Sequence, residues 1–168
     1  GAPKKKRKAF GPSDQALGRS RGGLTTKIHL VCDSGGVPLA AGLSVGQRHD
    51  GPHLKPLMNT VRIPRRQPGR PRTRPSMLVA DRGYDARHIR RYLRRPGRGR
   101  KRRRKGRPPV FDKGMYAKRN VIERLIGWLK EHGRLATRYE KYARCYLAMV
   151  KLAFTGRCFR KLEFSNTG

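Results

Sequence analysis

The chain has 168 residues, with 43 lysines and arginines against 10 aspartates and glutamates, so its formal net charge is +33. So large a positive charge repels itself unless a polyanion is bound, which indicates nucleic acid as the partner. No apolar stretch reaches the roughly 20 residues of a membrane span, and three isolated cysteines predict a reducing compartment with neither a disulfide framework nor a zinc site.

The first 23 residues are rich in Gly, Lys and Arg and contain almost nothing apolar to bury. We therefore expect a basic, flexible arm that becomes ordered only on an anion. The run Pro3–Lys8, PKKKRK, has the composition of a nuclear import signal, but a phosphate-gripping arm looks the same and is the preferred interpretation. Because Gly1 stands where an initiator Met is expected, we also expect the chain to begin within a longer protein.

Residues 24–45 predict a β-hairpin. LTTKIHLVCD alternates its side chains with a period of two, SGG follows at 34–36, and VPLAAGLSVG starts a second apolar run. Asp33 ends the first strand and could be proposed as a catalytic group. Its position before the glycines favours a turn residue instead.

A helix is predicted after the hairpin. Asp50, followed by Gly51 and Pro52, is typical of an N-cap and first turn, and the apolar residues behind it have helical spacing: Leu54, Leu57, Met58 and Val61. His49 and Asp50 are also candidates for catalysis, but capping explains Asp50 without chemistry. Residues 62–75, rich in Pro and Arg and without a period, predict a basic loop.

The stretch SMLVADRGYDARHIRRYLRR predicts a strand, a turn and a helix. Met77–Ala80 should form a short buried strand with Asp81 at its end, Gly83 should allow the turn, and Asp85 should cap the basic helix. Residues 96–109, beyond that helix, contain no apolar side chain. They predict a second basic, phosphate-seeking loop.

Two helices are predicted in the last third of the chain. In the first, residues 116–132, one face carries Ile122, Leu125 and Leu129 for a core, and the other carries Glu123 near Arg119 and Lys130. The second helix has an apolar side made of several residues, namely Tyr142, Cys145, Tyr146, Met149, Val150, Leu152 and Ala153.

Glu123 has two interpretations. It can form a surface ion pair with Arg119 one turn away, worth only about 0.3–0.5 kcal/mol. It can also hold a divalent metal ion together with Asp81. In a chain with so few acids, an Asp at the end of a strand and a Glu on a following helix are candidates for that role. Phosphodiester displacement uses two Mg²⁺ ions about 3.5–4 Å apart, held by hard oxygen ligands, and Arg119 and Lys130 would then contact phosphate.

Four motifs resemble one family: SRGGLTTKIHLVCD, GLSVGQRHDGPHL, VADRGYDA and the spacing of Tyr116, Arg119, Glu123 and Lys130. In this order they resemble the DDE transposases of bacterial insertion sequences, in the group named after insertion sequence five, from about residue 16 to 162. The resemblance implies an α/β, RNase H-like fold of the retroviral-integrase type, with a mixed sheet and flanking helices. It also implies DNA transposition in the bacterial cytoplasm, near the nucleoid, with two Mg²⁺ or Mn²⁺ ions and with transposon ends and target DNA as partners.

The resemblance assigns roles to particular residues. Asp81 matches the family's second catalytic aspartate and Glu123 its glutamate, so both are expected to be catalytic metal ligands. The surrounding signature residues are expected to contact DNA phosphates: Tyr116, Arg119, Lys130 and Arg82. Residues 24–164 would then form a partial RNase H-like catalytic domain, with the basic loops 62–75 and 96–109.

The chain departs from the family pattern in two places. The family's first aspartate lies on a strand that would precede Gly1, and residues 96–109 offer no apolar strand, so we expect the sheet to lack a strand. Transposases of this group are often encoded in two overlapping reading frames, and a downstream frame would look like this chain. Alone it is then expected to bind DNA without cutting it.

Two other functions remain open from the sequence. One is an architectural nucleic-acid binder that resembles a ribosomal protein in charge. The other is a regulator that occupies transposon ends, as a homo-oligomer or together with a full-length transposase. Non-specific DNA binding would depend steeply on salt in all three cases, so salt dependence does not separate them.

Overall fold

The computed structural model of the protein describes residues 14–20, 23–93 and 113–165. The run Pro3–Lys8 and the predicted basic loop 96–109 lie outside these residues. The strands are β1 (Gly18–Ser20), β2 (Gly23–Cys32) and β3 (Pro38–Val45). The helices are α1 (Gly51–Thr60), α2 (Arg87–Leu93), α3 (Lys113–Ala117), α4 (Asn120–Lys130), α5 (Gly133–Ala136) and α6 (Ala143–Ser165), and a 3₁₀ turn spans Arg82–Tyr84.

The β2–β3 hairpin is the centre of the fold, and it confirms the hairpin prediction. Its antiparallel register runs from Thr26 opposite Val45 to Cys32 opposite Pro38. The carboxylate of Asp33 accepts hydrogen bonds from the backbone N–H groups of Gly35 (2.9 Å) and Val37 (2.8 Å). Asp33 is therefore a turn residue, as its position before the glycines indicated.

Part of the expected N-terminal arm is ordered. Residues 18–20 form β1, which pairs antiparallel with residues 23–25 of β2. Just before β1, the carbonyl of Asp14 accepts a hydrogen bond from the backbone N–H of Ala143 (3.0 Å), and the carbonyl of Ala16 accepts one from the Thr26 hydroxyl (3.0 Å). The expectation of an arm without structure up to residue 23 is wrong for residues 14–20, because their backbone groups find partners on β2 and α6.

Helices cover both faces of the sheet, which confirms an α/β class. On one face, Ile28 and Leu30 of β2 and Leu43 of β3 pack against a core from α4, α5 and α6. Its buried residues are Leu125, Leu129, Leu135, Tyr146, Val150 and Phe154. On the other face, a smaller cluster of Leu54, Met58 and Ile89 joins α1 to α2. The predicted apolar residues of α1 are buried, Val61 included.

The predicted strand Met77–Ala80 does not form. The side chain of Met77 is 60% exposed and that of Val79 is 38% exposed. Four apolar residues in a row gave a strand pattern, but a strand needs a neighbour for its backbone hydrogen bonds, and within the described residues none is present here. Consequently the described strands are all antiparallel, and the mixed sheet expected from the family resemblance is not seen.

The predicted helix 116–132 is divided. Tyr116 lies on α3, and α4 starts only at Asn120, because residues 118 and 119 form a tighter turn in which Val121 N–H donates to the Lys118 carbonyl (3.2 Å). The core face of α4 is as predicted, with Leu125 1% and Leu129 3% exposed.

The apolar side predicted for the last helix, α6, included residues that are exposed in the structure. Tyr146 and Val150 are buried as predicted, whereas Leu152 is 72% exposed and Cys145 is exposed. A helix in contact with neighbours on one side only can bury a stripe of limited width. None of the described helices is both long and apolar enough to cross a membrane.

Candidate active site

Arg119 brings together the two carboxylates that the sequence singled out. Its Nη2 lies 2.5 Å from Oε1 of Glu123, and its Nη1 lies 3.5 Å from Oδ1 of Asp81. The ion pair with Glu123 spans one turn, and the hydrogen bond from the guanidinium to that carboxylate, followed by weaker attraction from Asp81, raises the pKa of Arg119. Both carboxylates face solvent, with side chains 69% (Asp81) and 53% (Glu123) exposed.

Tyr116 joins the same group although it lies on a different helix. The Arg119 guanidinium carbon is 5.1 Å from the centre of the Tyr116 ring, a cation–π contact. The turn between α3 and α4 therefore keeps Tyr116, Arg119 and Glu123 in contact. Lys130 is exposed at the far end of α4 and does not line the cavity described below. Arg82 lies in the 3₁₀ turn beside Asp81, and its side chain is outside the described part of the structure.

A polar network anchors the segment that carries Asp81. Tyr84 N–H donates to the Asp81 carbonyl (2.9 Å), which closes the 3₁₀ turn. The Tyr84 hydroxyl is hydrogen-bonded to Nδ1 of His29 on β2 (2.6 Å), and Nε2 of His29 is hydrogen-bonded to the Ser44 hydroxyl on β3 (2.8 Å). His29 and Ser44 are buried. The network thus links the backbone at Asp81 to both long strands.

Burial sets the protonation states in this network. It lowers the pKa of His29, and the neighbouring His53, stacked at 4.7 Å between ring centres, lowers it further. Burial, with repulsion from Asp50 and Asp81, raises the pKa of Tyr84 to about 12. Near neutral pH the His29 ring is therefore neutral and the Tyr84 hydroxyl keeps its proton.

Asp50 lies next to this network, and its predicted capping role is not seen. Asp50 precedes α1, but its side chain makes no capping hydrogen bond and instead binds Lys27 Nζ at 2.9 Å. It also lies close to the 3₁₀ turn, where a Cβ on Gly83 would come within 2.8 Å of Oδ2 of Asp50. A glycine at position 83 thus lets the 3₁₀ turn approach Asp50. The sequence had suggested a different reason for this glycine, namely that it allows the chain to turn.

Asp85 does not directly precede its helix either. The residue before α2 is Ala86, and the carboxylate of Asp85 accepts two hydrogen bonds from Arg90, both at 2.7 Å. The predicted cap is therefore wrong, because the guanidinium of Arg90, the fourth residue of α2, offers the carboxylate two aligned donors.

A cavity of about 380 Å³ lies between β2, residues 78–81 and α4. Three carboxylates line it, those of Asp50, Asp81 and Glu123, together with Arg119 and apolar side chains that include Ile122. A second cavity of about 410 Å³ shares Val31, Cys32, Leu78, Val79, Arg119 and Ile122 with the first, so the two adjoin.

The first cavity follows an open edge of the sheet. All six residues from Lys27 to Cys32 line it, and because successive strand residues point to opposite faces, it lies along the edge of β2 rather than over one face. β1 pairs with this edge only as far as Thr25. Beyond Thr25, no strand among the described residues pairs with it.

The described residues fit part of a divalent metal site. Carboxylate oxygens are the ligands that Mg²⁺ and Mn²⁺ prefer. Asp81 and Glu123 supply two such carboxylates, and both are paired with the guanidinium of Arg119. Within residues 14–20, 23–93 and 113–165, no group of three His, Cys, Asp or Glu side chains is arranged to hold a metal ion. A complete ligand set would need a donor from elsewhere or a rearrangement.

The sequence has relatives among transposases. The profile of a family described as the Transposase DDE domain matches residues 2–155. The chain belongs to this family. The family match and the named relatives below confirm the recognition of an insertion-sequence transposase. The catalytic roles expected of Asp81 and Glu123 stay predictions. Assignment to the group of insertion sequence five stays a prediction.

Two named relatives support the family. The chain is 35% identical over 145 residues to a Burkholderia cepacia protein named as a transposase for insertion sequence element IS402, covering 82% of this chain and 64% of that protein. It is 28% identical over 134 residues to a Brucella ovis protein named as a transposase for IS6501, covering 77% of this chain and 95% of the relative. The chain thus spans about two thirds of the first relative and nearly all of the second. No solved structure matches the chain.

Sequence reasoning missed the residues that hold the site in place. His29, Ser44 and Lys27 were counted only as members of a hairpin, and Tyr84 only as a member of a motif. A histidine on the polar face of a strand was the one available signal, but a buried histidine bonded to its neighbours gives the same pattern.

Proposed function

We propose that this chain is the part of an RNase H-like DDE transposase that binds transposon DNA and that, completed by an upstream segment, cleaves and transfers DNA strands. The observation that carries the proposal is the convergence of Asp81 and Glu123 on Arg119. Asp81 and Glu123 would hold two Mg²⁺ or Mn²⁺ ions, which when bound supply Lewis-acid stabilisation of the attacking and leaving oxygens in an in-line displacement.

The upstream segment would fill the cavity along β2. Among the described residues no strand pairs with the edge of β2 beyond Thr25, and such an edge presents unpaired backbone hydrogen-bonding groups. The exposed Val79 lines the cavity along this edge, and the exposed Met77 lines the adjoining cavity. A strand placed there would pair with β2, bury those side chains and bring a carboxylate toward Asp81 and Glu123. This would restore both the strand and the first aspartate that the family pattern requires.

Arg119 would change partners when substrate binds. It holds both carboxylates in the structure described here, and a guanidinium suits a phosphate as well as a carboxylate. With Asp81 and Glu123 serving as metal ligands instead, Arg119 would bind a DNA phosphate. Tyr116 would keep the guanidinium in place through the contact with its ring. Lys130, seven residues beyond Glu123 on α4, would contact DNA farther along, as would Arg82 beside Asp81.

A second candidate is an inactive DNA-binding regulator. Only two carboxylates converge on Arg119 within the described residues, which favours this candidate for the chain by itself. Such a protein would occupy transposon ends alone, as a homo-oligomer or with a full-length transposase.

A cleavage and strand-transfer assay on transposon-end DNA with Mg²⁺ or Mn²⁺ separates the two candidates. We expect the present chain to bind DNA without cutting it, and a chain extended upstream to cut. In the extended chain, Glu123→Gln should lower the rate at least about 100-fold, because a metal-holding carboxylate contributes several kcal/mol to the transition state.

Glu131→Gln is the matched control. Glu131 is an exposed acid directly after α4 and does not line the cavity, so this change should leave the rate within about twofold, as expected of a surface substitution. Cleavage by the present chain alone would contradict the need for an upstream segment. An extended chain that binds DNA and cuts nothing would favour the regulator.

A further inference from the structure

The loop between α5 and α6, residues 137–142, forms a surface that the catalytic proposal does not use. We call it the Tyr139 turn. Its sequence, TRYEKY, contains two cations, one acid and two tyrosines. The tyrosines face solvent, with Tyr139 71% and Tyr142 37% exposed. A single exposed apolar side chain is ordinary on a protein surface, so the groups around the two rings decide what the turn can bind.

Arg138 holds the backbone of this turn. Its Nε donates to the Glu140 carbonyl (2.9 Å) and its Nη2 donates to the Lys141 carbonyl (3.0 Å). Its Nη1 donates to the Thr26 hydroxyl on β2 (2.5 Å), and the guanidinium lies over the Tyr146 ring at 5.3 Å. Three donors of the half-buried Arg138 are thus bound within the protein, and they fix the turn to the strand whose next residue, Lys27, lines the cavity of the candidate site.

The only acid of the turn is withdrawn from the surface. The side chain of Glu140 is 10% exposed, one oxygen lies 3.4 Å from Arg134, and the other is buried without a hydrogen-bond partner in the described structure. Burying a carboxylate oxygen unpaired is costly. The arrangement removes negative charge from a surface that would otherwise carry it.

From Tyr139 of the turn to Arg144 just after it, the exposed side chains are aromatic or positively charged. Lys141 Nζ lies 5.9 Å and the Arg144 guanidinium 5.0 Å from the centre of the Tyr142 ring, and both cations are exposed beside it. Aromatic rings that stack on bases, with cations for the phosphates between them, are how proteins bind single-stranded nucleic acid. A duplex interior hides its base faces, so an exposed ring gains most from an unpaired base.

Going beyond the proposed DNA binding, we propose that the Tyr139 turn binds unpaired DNA, with Tyr139 stacking on a base and Lys141 and Arg144 contacting the adjoining phosphates. The ring confers preference for bases over a bare backbone, and the cations confer the salt-dependent part of the affinity. Glu140 stays inside, so no carboxylate opposes the phosphates.

The test compares a dT oligonucleotide with an abasic oligonucleotide of equal length, each titrated with the full chain by fluorescence anisotropy at several salt concentrations. The wild-type chain should prefer the oligonucleotide with bases. Tyr139→Leu should weaken that binding about 5- to 150-fold, the range for loss of one base–aromatic stack. It should leave abasic binding and the salt slope unchanged, because no charge is lost.

Three variants serve as controls. Tyr139→Phe keeps the ring and should stay within about twofold of wild type, since stacking needs only the aromatic face. Phe159→Leu removes a ring that is 61% exposed on α6, the helix that follows the turn, and should also have little effect. Lys141→Ala should lower the magnitude of the salt slope by roughly 0.7, the value per phosphate contact on a single strand.

Equal weakening of base-containing and abasic binding by Tyr139→Leu would overturn the proposal, as would no weakening at all. Equal weakening by Phe159→Leu would do so too. If polyglutamate displaced the dT oligonucleotide as well as an unlabelled dT oligonucleotide does, the turn would be a site for acidic protein. A wild-type chain that binds transposon-end duplex DNA but neither oligonucleotide would overturn this proposal alone. A chain that binds no DNA at all would refute the DNA-binding part of the proposed function as well.

Discussion

The two faces of β2 are built in different ways. On one face Ile28 and Leu30 pack into an apolar core with Leu125, 1% exposed, and Val150, 0% exposed. On the other face Lys27 and His29 are held by polar partners, and the edge beside them opens into the cavity of the candidate site. The first face contributes apolar burial that stabilises the domain. The second face is less completely buried, and through the bond of His29 to Tyr84 it holds the turn that follows Asp81.

The difference shows that apolar composition does not decide burial. Val79 and Leu125 are both aliphatic and both lie in strongly patterned segments, yet Val79 is 38% exposed. In the 77–80 segment only Leu78 packs against a described core cluster, that of α1 and α2. Side chains left open around a cavity lined by three carboxylates are consistent with a site that another segment completes.

The largest expected effect is on the apolar face. Leu125→Ala should lower the free energy of unfolding by about 2–5 kcal/mol, through lost burial and a residual cavity. Leu152→Ala is the same change at a position that is 72% exposed, and it should cost less than about 0.5 kcal/mol. Urea denaturation followed by circular dichroism measures both. Equal effects would mean that the core does not lie between α4 and α6.

A smaller effect is expected on the polar face. Tyr84→Phe removes the hydroxyl bonded to His29 and should cost about 1–3 kcal/mol, because a buried ring nitrogen loses its partner. Tyr146→Phe is the matched change on the apolar face, where the hydroxyl donates to the Leu135 carbonyl at 2.6 Å.

Hydrogen exchange distinguishes these two tyrosines. Tyr84→Phe should speed exchange at residues 81–86, since it releases the turn that follows Asp81, and Tyr146→Phe should leave that segment protected. Unchanged protection in Tyr84→Phe would show that the network does not hold the turn.

The smallest effect is the pH dependence of the polar face. Burial lowers the pKa values of His29 and His53 below their ordinary value of 6.5. Lys27 also opposes a charge on both rings and Arg48 opposes one on His53, whereas Asp50 favours it. The unfolded chain therefore binds protons more readily than the folded one. The stability contributed by the neutral rings is complete above pH 6.5 and is lost as pH falls from 6.5 through the folded pKa values.

Unfolding free energies at about pH 7.5 and 5.5 measure this loss. His29→Gln should reduce the difference between the two pH values, whereas Leu152→Ala should retain it, since that residue lies on the exposed side of α6. An undiminished difference in His29→Gln would place the titrating group elsewhere.

Much of the fold was predictable because local signals agreed with the final contacts. The β2–β3 hairpin, the turn role of Asp33 and the core face of α4 all follow from period and turn chemistry over short stretches. The predictions failed where a partner that the local pattern does not specify decided the result. Asp50 binds Lys27 rather than capping α1, Asp85 binds Arg90, and residues 77–80 lack a neighbouring strand.

The candidate site divides in the same way. Arg119 and Glu123 could be grouped from sequence spacing, since residues four apart on a helix lie on one face. Tyr116 was included only through the family signature. The anchoring of Asp81 by Tyr84 and His29 could not, because it depends on how the 3₁₀ turn packs against β2. The burial of Glu140 could not be predicted either, because the backbone of its turn is held by Arg138, which also bonds to Thr26 far away in the chain.

The sequence by itself determined the charge, the elements with a clear period and the membership in a transposase family. These properties are local or additive, so they can be read along the chain. Only the tertiary structure decided that Asp81 and Glu123 share Arg119, that one edge of β2 stays open, and that Tyr139 is presented while Glu140 is buried. Each of these depends on contacts between residues far apart in the chain, whose geometry no local pattern specifies.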